Sequence, residues 1–230
     1  MRGSGVCARV GGLGGGAGGR VGMATRWRVA EARGLAQLGA AARLRAASFY
    51  EGAPASSLRT RRERSFAEAE LRGLLNEASL ASGGPEETGF CCLVALAEAR
   101  ADQLGEEEVA GTLDLAAQAD WTYPANVTWA AISDAAATPP ELGGAVYLSN
   151  MCVKHGFRRQ GVGRLLLREA ARVAEEELGA AEVFAHAFKD DTPSVGLYAG
   201  AGFVAVGPEG RASSAAGPRP TLLLRKRLRA

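Results

Sequence analysis

The sequence predicts a mixed α/β domain (an α+β mixture in one chain) whose first half is antiparallel, and three observations point to it. Two eight-residue apolar stretches, Phe90–Ala97 and Val109–Ala116, flank the acidic turn "QLGEEE" as the arms of a β-hairpin would. A third apolar run, Ala145–Val153, passes through a loop of arginines and glycines into a helical pattern with one apolar stripe. Extended and helical patterns then alternate toward the C-terminus.

The elements before the hairpin follow from spacing. Trp27–Glu31 alternates as a short strand, and Leu35, Leu38 and Ala42 recur at helical intervals up to Phe49. "GAPASS" (52–57) reads as a loop, and a second amphipathic helix carries Phe66, Leu71, Leu74, Leu75 and Ala78 until "SGGPEETG" (82–89) ends it. After the hairpin, 117–144 is a long irregular connection with Trp121, Tyr123 and Trp129; loops of that length more often serve function than not.

The second half begins with the strand Ala145–Val153. A helix over 165–178 follows, with Leu166, Ala170, Val173 and Ala174 on one stripe, the acidic run 175–177 outside it and Gly179 as its stop. Residues 183–188 read as a strand, 192–202 as a short helix and 203–206 as a strand. "PEGRASSAAGPRP" reads as a loop, and 221–228 as a closing edge strand.

Composition narrows the functional classes. The chain of 230 residues is 47% hydrophobic and 23% charged, with a net charge of +2. Residues 1–25 hold Arg2, Arg9 and Arg20 and no acid, so the rest carries 24 basic against 25 acidic residues. Such a near-neutral body lacks the footprint of a dedicated nucleic-acid binder. No apolar run approaches the roughly 18 residues of a membrane span, so no membrane partner is expected. Cys7, Cys91, Cys92 and Cys152 have no CxxC spacing, and His155 and His186 are the two histidines, so no metal site is expected. Adjacent Cys91 and Cys92 would face opposite sides of a strand as small apolar residues. The glycine-rich, arginine-bearing leader 1–25 suits an organellar transit peptide, the alternative being a disordered tail. Gly14, Gly16 and Gly19 satisfy GxGxxG, but no strand precedes them and no helix follows.

The chemistry-bearing stretch is "FRRQGVGRLLL" (157–167). Amides at a helix start lack intrahelical partners, and the helix dipole favours negative charge there. Gly161 and Gly163 let such amides approach a diphosphate, and Arg158, Arg159 and Arg164 add charge-assisted contacts. Each dipole contact contributes only about 0.3–1 kcal/mol, so several must converge. GxxxxGK(S/T) is absent, and Leu166 stands where a dinucleotide fingerprint needs its third glycine. A diphosphate other than a nucleoside triphosphate or dinucleotide fits best.

"YLSNMCVKHGFRRQGVGRLLL" followed by "FAHAFKDDTPSVGLYAGAGF" resembles the GCN5-related N-acetyltransferases (GNAT). Their acetyl-CoA motif, R/Q-x-x-G-x-G/A, is met by Arg158, Gly161 and Gly163. A second signature, N-x-x-A/S-x-x-L-Y-x-x-x-G-F, is met by Ser194, Leu197, Tyr198, Gly202 and Phe203, with Asp191 in place of the asparagine. The match is specific over 145–206 and is most similar to plant and algal plastid members. It implies one acetyltransferase domain over 26–230, with a central mixed sheet of six to seven strands splayed in the middle and about four helices. It also implies acetyl-CoA as cosubstrate, acetylation of protein N-terminal α-amines and lysine ε-amines, and the chloroplast stroma as compartment (alternatively the mitochondrion). A monomer or weak dimer is expected.

The same resemblance implies roles. The strand with Met151, Cys152 and Val153 offers backbone groups to the pantetheine arm; Arg159, Gln160, Gly161, Val162, Gly163 and Arg164 cradle the diphosphate; Asp191 and Tyr198 touch the coenzyme. Tyr198 protonates the leaving thiolate. His186, on the strand facing the thioester in relatives, is either the general base or a half-buried strand histidine. Lone Cys152 has no visible partner base that would make it a nucleophile. Substrate preference is expected in 50–62 and 117–144, where the aromatic residues either wall a peptide groove or cover the core. Two other functions fit the sequence: acetylation of a small amine such as a polyamine or arylalkylamine, and non-catalytic binding of acyl-CoA as a regulator.

Overall fold

A computed structural model describes residues 26–80, 89–97, 108–117, 144–206, 210–212 and 219–228. In chain order these form β1 (Trp27–Glu31), α1 (Leu35–Phe49), α2 (Ser57–Leu80), β2 (Phe90–Ala97), β3 (Val109–Ala116), β4 (Ala145–Val153), α3 (Val162–Arg172), β5 (Glu182–Phe188), α4 (Thr192–Gly200), β6 (Val204–Ala205), β7 (Gly210–Ala212) and β8 (Arg219–Arg227). A 3-10 turn, His155–Phe157, precedes α3, and a wider π-type turn, Val173–Glu177, extends it. The leader, the hairpin turn before Glu108, the aromatic residues of the long connection and most of "PEGRASSAAGPRP" lie outside the described residues.

The strands form one mixed sheet in the order β1-β2-β3-β4-β5-β8-β6, with β7 also paired to β8. Only β4 and β5 run parallel, as a crossover through α3 requires. Residue alternation divides the core between the two faces. Cys91, Leu93, Leu113, Leu115, Val146 and Leu148 pack toward α3 with Leu166, Leu167, Ala170 and Val173. Cys92, Val94 and Leu96 pack toward α1 and α2 with Leu38, Ala41, Ala42 and Leu74. The two neighbouring cysteines therefore face opposite sides, as strand geometry demands. Each fully buried leucine on these faces contributes about 1.5–3 kcal/mol through removal from water.

One local irregularity shapes the centre of the sheet. β4 and β5 pair only from Ala145 to Leu148 against Glu182 to Ala185, although both strands continue, to Val153 and Phe188. On its other edge β4 carries one residue more than β3 between Thr112↔Cys152 and Asp114↔Ser149. The bulge includes Asn150, whose φ of 52° is left-handed. Bulges bend and twist the strand that holds them. Here the bend begins where pairing to β5 stops, and the sheet opens between 149–153 and 186–188.

The structure corrects three details of the sequence reading. The third helix begins at Val162, not 165, because Gly161 is already its left-handed N-cap. The C-terminal strand is not an edge: β8 pairs with β5 on one side and with β6 and β7 on the other, which explains why Leu223 and Leu224 are both buried. The segment read as the loop before it contains β7 and the start of β8. Seven strands make up the path of the sheet, within the six to seven expected, and β7 adds a short pairing to β8 off that path.

Candidate active site

At the opening between β4 and β5, the start of α3 supplies the main-chain groups. Arg159 and Gly161 both have positive φ (64° and 87°). Left-handed residues in such a loop gather successive amides around an anion. Gly161 has no crowding to relieve: an added Cβ would meet nothing within 4 Å. Its φ is what selects glycine. Gly163 is selected by contact instead, since a Cβ there would lie 2.9 Å from a Leu197 methyl and 3.2 Å from the Met151 methyl. The start of α3 thus touches both β4 and α4 beside Tyr198. Leu165 N–H is the first to reach back into the helix, to Gly161 O at 3.0 Å, so the amides of Val162, Gly163 and Arg164 precede the helical ladder.

The other residues read from the motifs fall into two groups. Arg159 and Arg164 are exposed beside this loop, whereas Gln160 donates through Nε2 to Gly156 O at 2.9 Å. Arg158 turns toward α1: its Nε donates to Val153 O (3.0 Å) and its Nη1 to Glu51 Oε1 (2.8 Å), with a second contact between Nη2 and Glu51 Oε2. That hydrogen-bonded pairing holds the Glu51 carboxyl below its usual range. Asp191 caps α4, accepting from Ser194 N (3.2 Å) and Ser194 Oγ (2.6 Å). His155 is exposed. Tyr198 is buried in the α3-side core, edge to face with Phe203 at 5.2 Å.

The opposite face of the opening is built from side chains, and most of them were not singled out from the sequence. Tyr147 Oη and His186 Nδ1 are 2.7 Å apart across β4 and β5, just before the strands part. Burial pushes the His186 pKa down to about 4, so the imidazole is neutral at ordinary pH. Ser149, on the same face as Tyr147, is buried, and its Oγ has no hydrogen-bond partner among the described residues. Burial raises the Cys152 thiol, which is hydrogen-bonded to Ser48; such a thiol is a poor source of thiolate.

Behind these residues lies a buried ionic cluster. Arg45 on α1 donates through Nη2 to Asp114 Oδ1 (2.5 Å) and Thr112 Oγ1 (3.0 Å), and through Nη1 to Glu70 Oε2 (3.3 Å). Burial opposes its charge, but Asp114, Cys92 and Glu70 together outweigh that cost and keep the guanidinium protonated. The other Asp114 oxygen, Oδ2, accepts from Asn150 Nδ2 at 2.9 Å. Asp114 therefore ties α1 to the bulge in β4. The local signal for it was Arg45 itself, a charge on the apolar stripe of Leu38, Ala41 and Ala42.

At this opening β5 leaves β4 unpaired beyond Leu148, the amides of Val162 to Arg164 precede the helical ladder of α3, and the buried Ser149 hydroxyl has no partner among the described residues. No group of His, Cys, Asp and Glu able to hold a metal occurs among the described residues, and none of their helices is long and apolar enough to cross a membrane.

Comparisons with known proteins bear on the family and the fold. The profile of the acetyltransferase (GNAT) family matches residues 86–203, just over half the chain. The chain has no match among the curated proteins. Among solved structures, it is similar to yncA of Salmonella typhimurium with its cofactor acetyl-CoA (TM-score 0.56, 15% identity, covering 89% of this chain and 95% of that one). It is also similar to the ribosomal-protein-S18-alanine N-acetyltransferase of Escherichia coli (0.52, 16%, 89% and 95%). A third similar structure is the spermidine N-acetyltransferase of Vibrio cholerae with CoA and spermine (0.53, 13%, 88% and 95%). At these identities the likeness is one of fold.

Proposed function

This chain belongs to the acetyltransferase (GNAT) family, and we propose that within it the protein is an acetyl-CoA-dependent N-acetyltransferase of protein N-terminal α-amines and lysine ε-amines. The observation that carries this reading is the Tyr147–His186 pair at the mouth of the opening. An α-amine has a pKa near 8 and lysine near 10.4, so a protein N-terminus is partly neutral at mildly alkaline pH and lysine much less so. Such an acceptor needs only modest help to lose its proton.

When bound, acetyl-CoA supplies the activated acetyl group as a thioester. Gly161, Val162, Gly163 and Arg164 would hold its diphosphate through main-chain amides, with Arg159 adding charge. Met151, Cys152 and Val153 would offer backbone groups to the pantetheine arm. In the tautomer with Nδ1 unprotonated, neutral His186 would accept at Nδ1 from Tyr147 Oη. Tyr147 and His186 would then form a relay, in which the amine's proton would go to Tyr147 Oη as the tyrosine's own proton moves to Nδ1. Tyr198 Oη would supply a proton to the thiolate leaving group. Acid–base assistance of this kind contributes about 10²–10⁴-fold.

Residues 1–25, with arginines and no acid, are read as a transit peptide for the chloroplast stroma, the mitochondrion being the alternative. A leader–reporter fusion tests that address.

The activity test is direct. The full chain is incubated with acetyl-CoA, a peptide library and a panel of small amines, and products are read by mass spectrometry. Acetylated peptide termini support the proposal; acetylation confined to small amines overturns it. Coenzyme binding without turnover would leave a regulator.

A further inference from the structure

The start of α2 holds positive charge that its described neighbours neutralise only in part. Arg59, Arg61, Arg62 and Arg64 lie in its first two turns with Glu63 as the acid among them, and no acid stands in the first turn. Arg59 is engaged, donating through Nη1 to Ala53 O at 2.6 Å and facing Glu63 at 3.8 Å. Arg61 and Arg62 are exposed and have neither ion pair nor hydrogen bond among the described residues. Arginines at the positive end of a helix dipole are locally unfavourable, so the sequence holds them there against its own helix.

These two arginines line an open depression of about 570 Å³ with Tyr50, Ser65 and Phe66. Its wall is aromatic and ordered by packing: Phe49 and Phe66 stack at 4.8 Å, and Tyr50 meets Phe49 edge-on at 5.2 Å. The depression also adjoins the outer end of β4. Ser48, two residues before Tyr50, is hydrogen-bonded to Cys152, and Glu51, the residue after it, holds Arg158 against Val153 O.

We infer that this depression selects protein acceptors carrying Asp or Glu two to four residues after the acetylated amine. The inference rests on the peptide-acceptor reading above and names the substrate class within it. An extended peptide advances about 3.3 Å per residue, so those positions lie roughly 7–13 Å beyond the amine. The guanidinium fork matches a carboxylate bidentately, and the rings give the peptide backbone an apolar wall. A polyamine, cationic along its length, would be repelled by the same pair. Two arginines on a near-neutral body are too few to track a nucleic-acid backbone.

The experiment uses the full chain and two peptides identical except for Asp-Glu or Lys-Lys at positions 3 and 4. The acidic peptide is expected to have a kcat/KM about tenfold higher, the scale of two exposed charge pairs, and the ratio should shrink as salt is added. The double variant R61E/R62E should invert the ratio while its melting temperature and coenzyme affinity stay within error. Peptides acetylated with equal efficiency, or a ratio untouched by R61E/R62E, would overturn the inference and leave the peptide reading standing. Acetylation of neither peptide, with small amines acetylated instead, would sink both. A variant that loses binding to vesicles of anionic phospholipid but keeps the peptide ratio would reassign the arginines to a membrane surface and equally overturn it.

Discussion

The two sides of the β4–β5 opening are built from different materials. On the α3 side, the proposed diphosphate cradle is main chain, fixed by Gly161 with its φ of 87° and by Gly163 packed against Leu197 and Met151. On the α1 side, the proposed acceptor surface is side chain, fixed by pairs far apart in sequence: Arg45–Asp114, Asp114–Asn150 and Tyr147–His186. A main-chain cradle tolerates change in any side chain but not in conformation. A side-chain surface can be lost through one atom. The comparison makes predictions that differ in kind across the opening.

The largest expected effect falls on the α1 side. Asp114→Ala removes the nearer counter-ion of buried Arg45, leaving only Glu70, and the acceptor of Asn150, which should cost about 3 kcal/mol in denaturant unfolding. Asp114→Leu in combination with Arg45→Met should recover much of that loss in stability yet not in kcat, because the bulge would lose its tether.

Next come the proton-handling residues. Tyr147→Phe should lower kcat about 100-fold with little change in coenzyme affinity, and Tyr198→Phe should behave similarly. Either result sharpens the division of labour; unchanged kcat for Tyr147→Phe would break it. The pH profile adds a second reading. With a folded pKa of about 4 against an ordinary 6.5, His186 is neutral throughout the working range. The rate on an N-terminal peptide should therefore show no inflection near 6.5 and rise only as the amine itself deprotonates, near 8. The unfolded chain takes up a proton at this histidine near 6.5 and the folded chain does not. Its contribution to stability is complete above 6.5 and is lost as pH falls toward 4.

On the α3 side, Gly161→Ala should cost only about 1–2 kcal/mol of backbone strain, because nothing crowds the position, but should weaken coenzyme binding. The smallest effect belongs to the hinge between the sides. Glu51→Gln breaks a pair with both partners about 40% exposed, so stability should move by less than about 1 kcal/mol. Freed Arg158 should then tighten coenzyme binding a few-fold, as calorimetry would show.

This difference in material also explains what could be read from the sequence. Elements at the cradle are local: β4, the glycine loop and α3 are contiguous, and the need for a left-handed N-cap writes itself as Gly161. β2, β3 and β4 were found to the residue because each is a short apolar run with clear ends. Tyr147 was passed over because a strand tyrosine looks like any core aromatic until His186, 39 residues later, is brought beside it. Arg158 matches the motif, yet its hydrogen bonds run to Glu51, 107 residues away. The error at β8 has a similar source. An apolar strand near a C-terminus suggests an edge, and only the chain's return through β6 and β7 places it inside the sheet.

A crystal structure of the full chain with coenzyme A tests the central claim most directly. The diphosphate oxygens should lie within hydrogen-bond distance, about 3 Å, of the amides between Gly161 and Arg164, with the pantetheine arm between 149–153 and 186–188. A coenzyme seated anywhere else, or one whose diphosphate is held only by side chains, would contradict it.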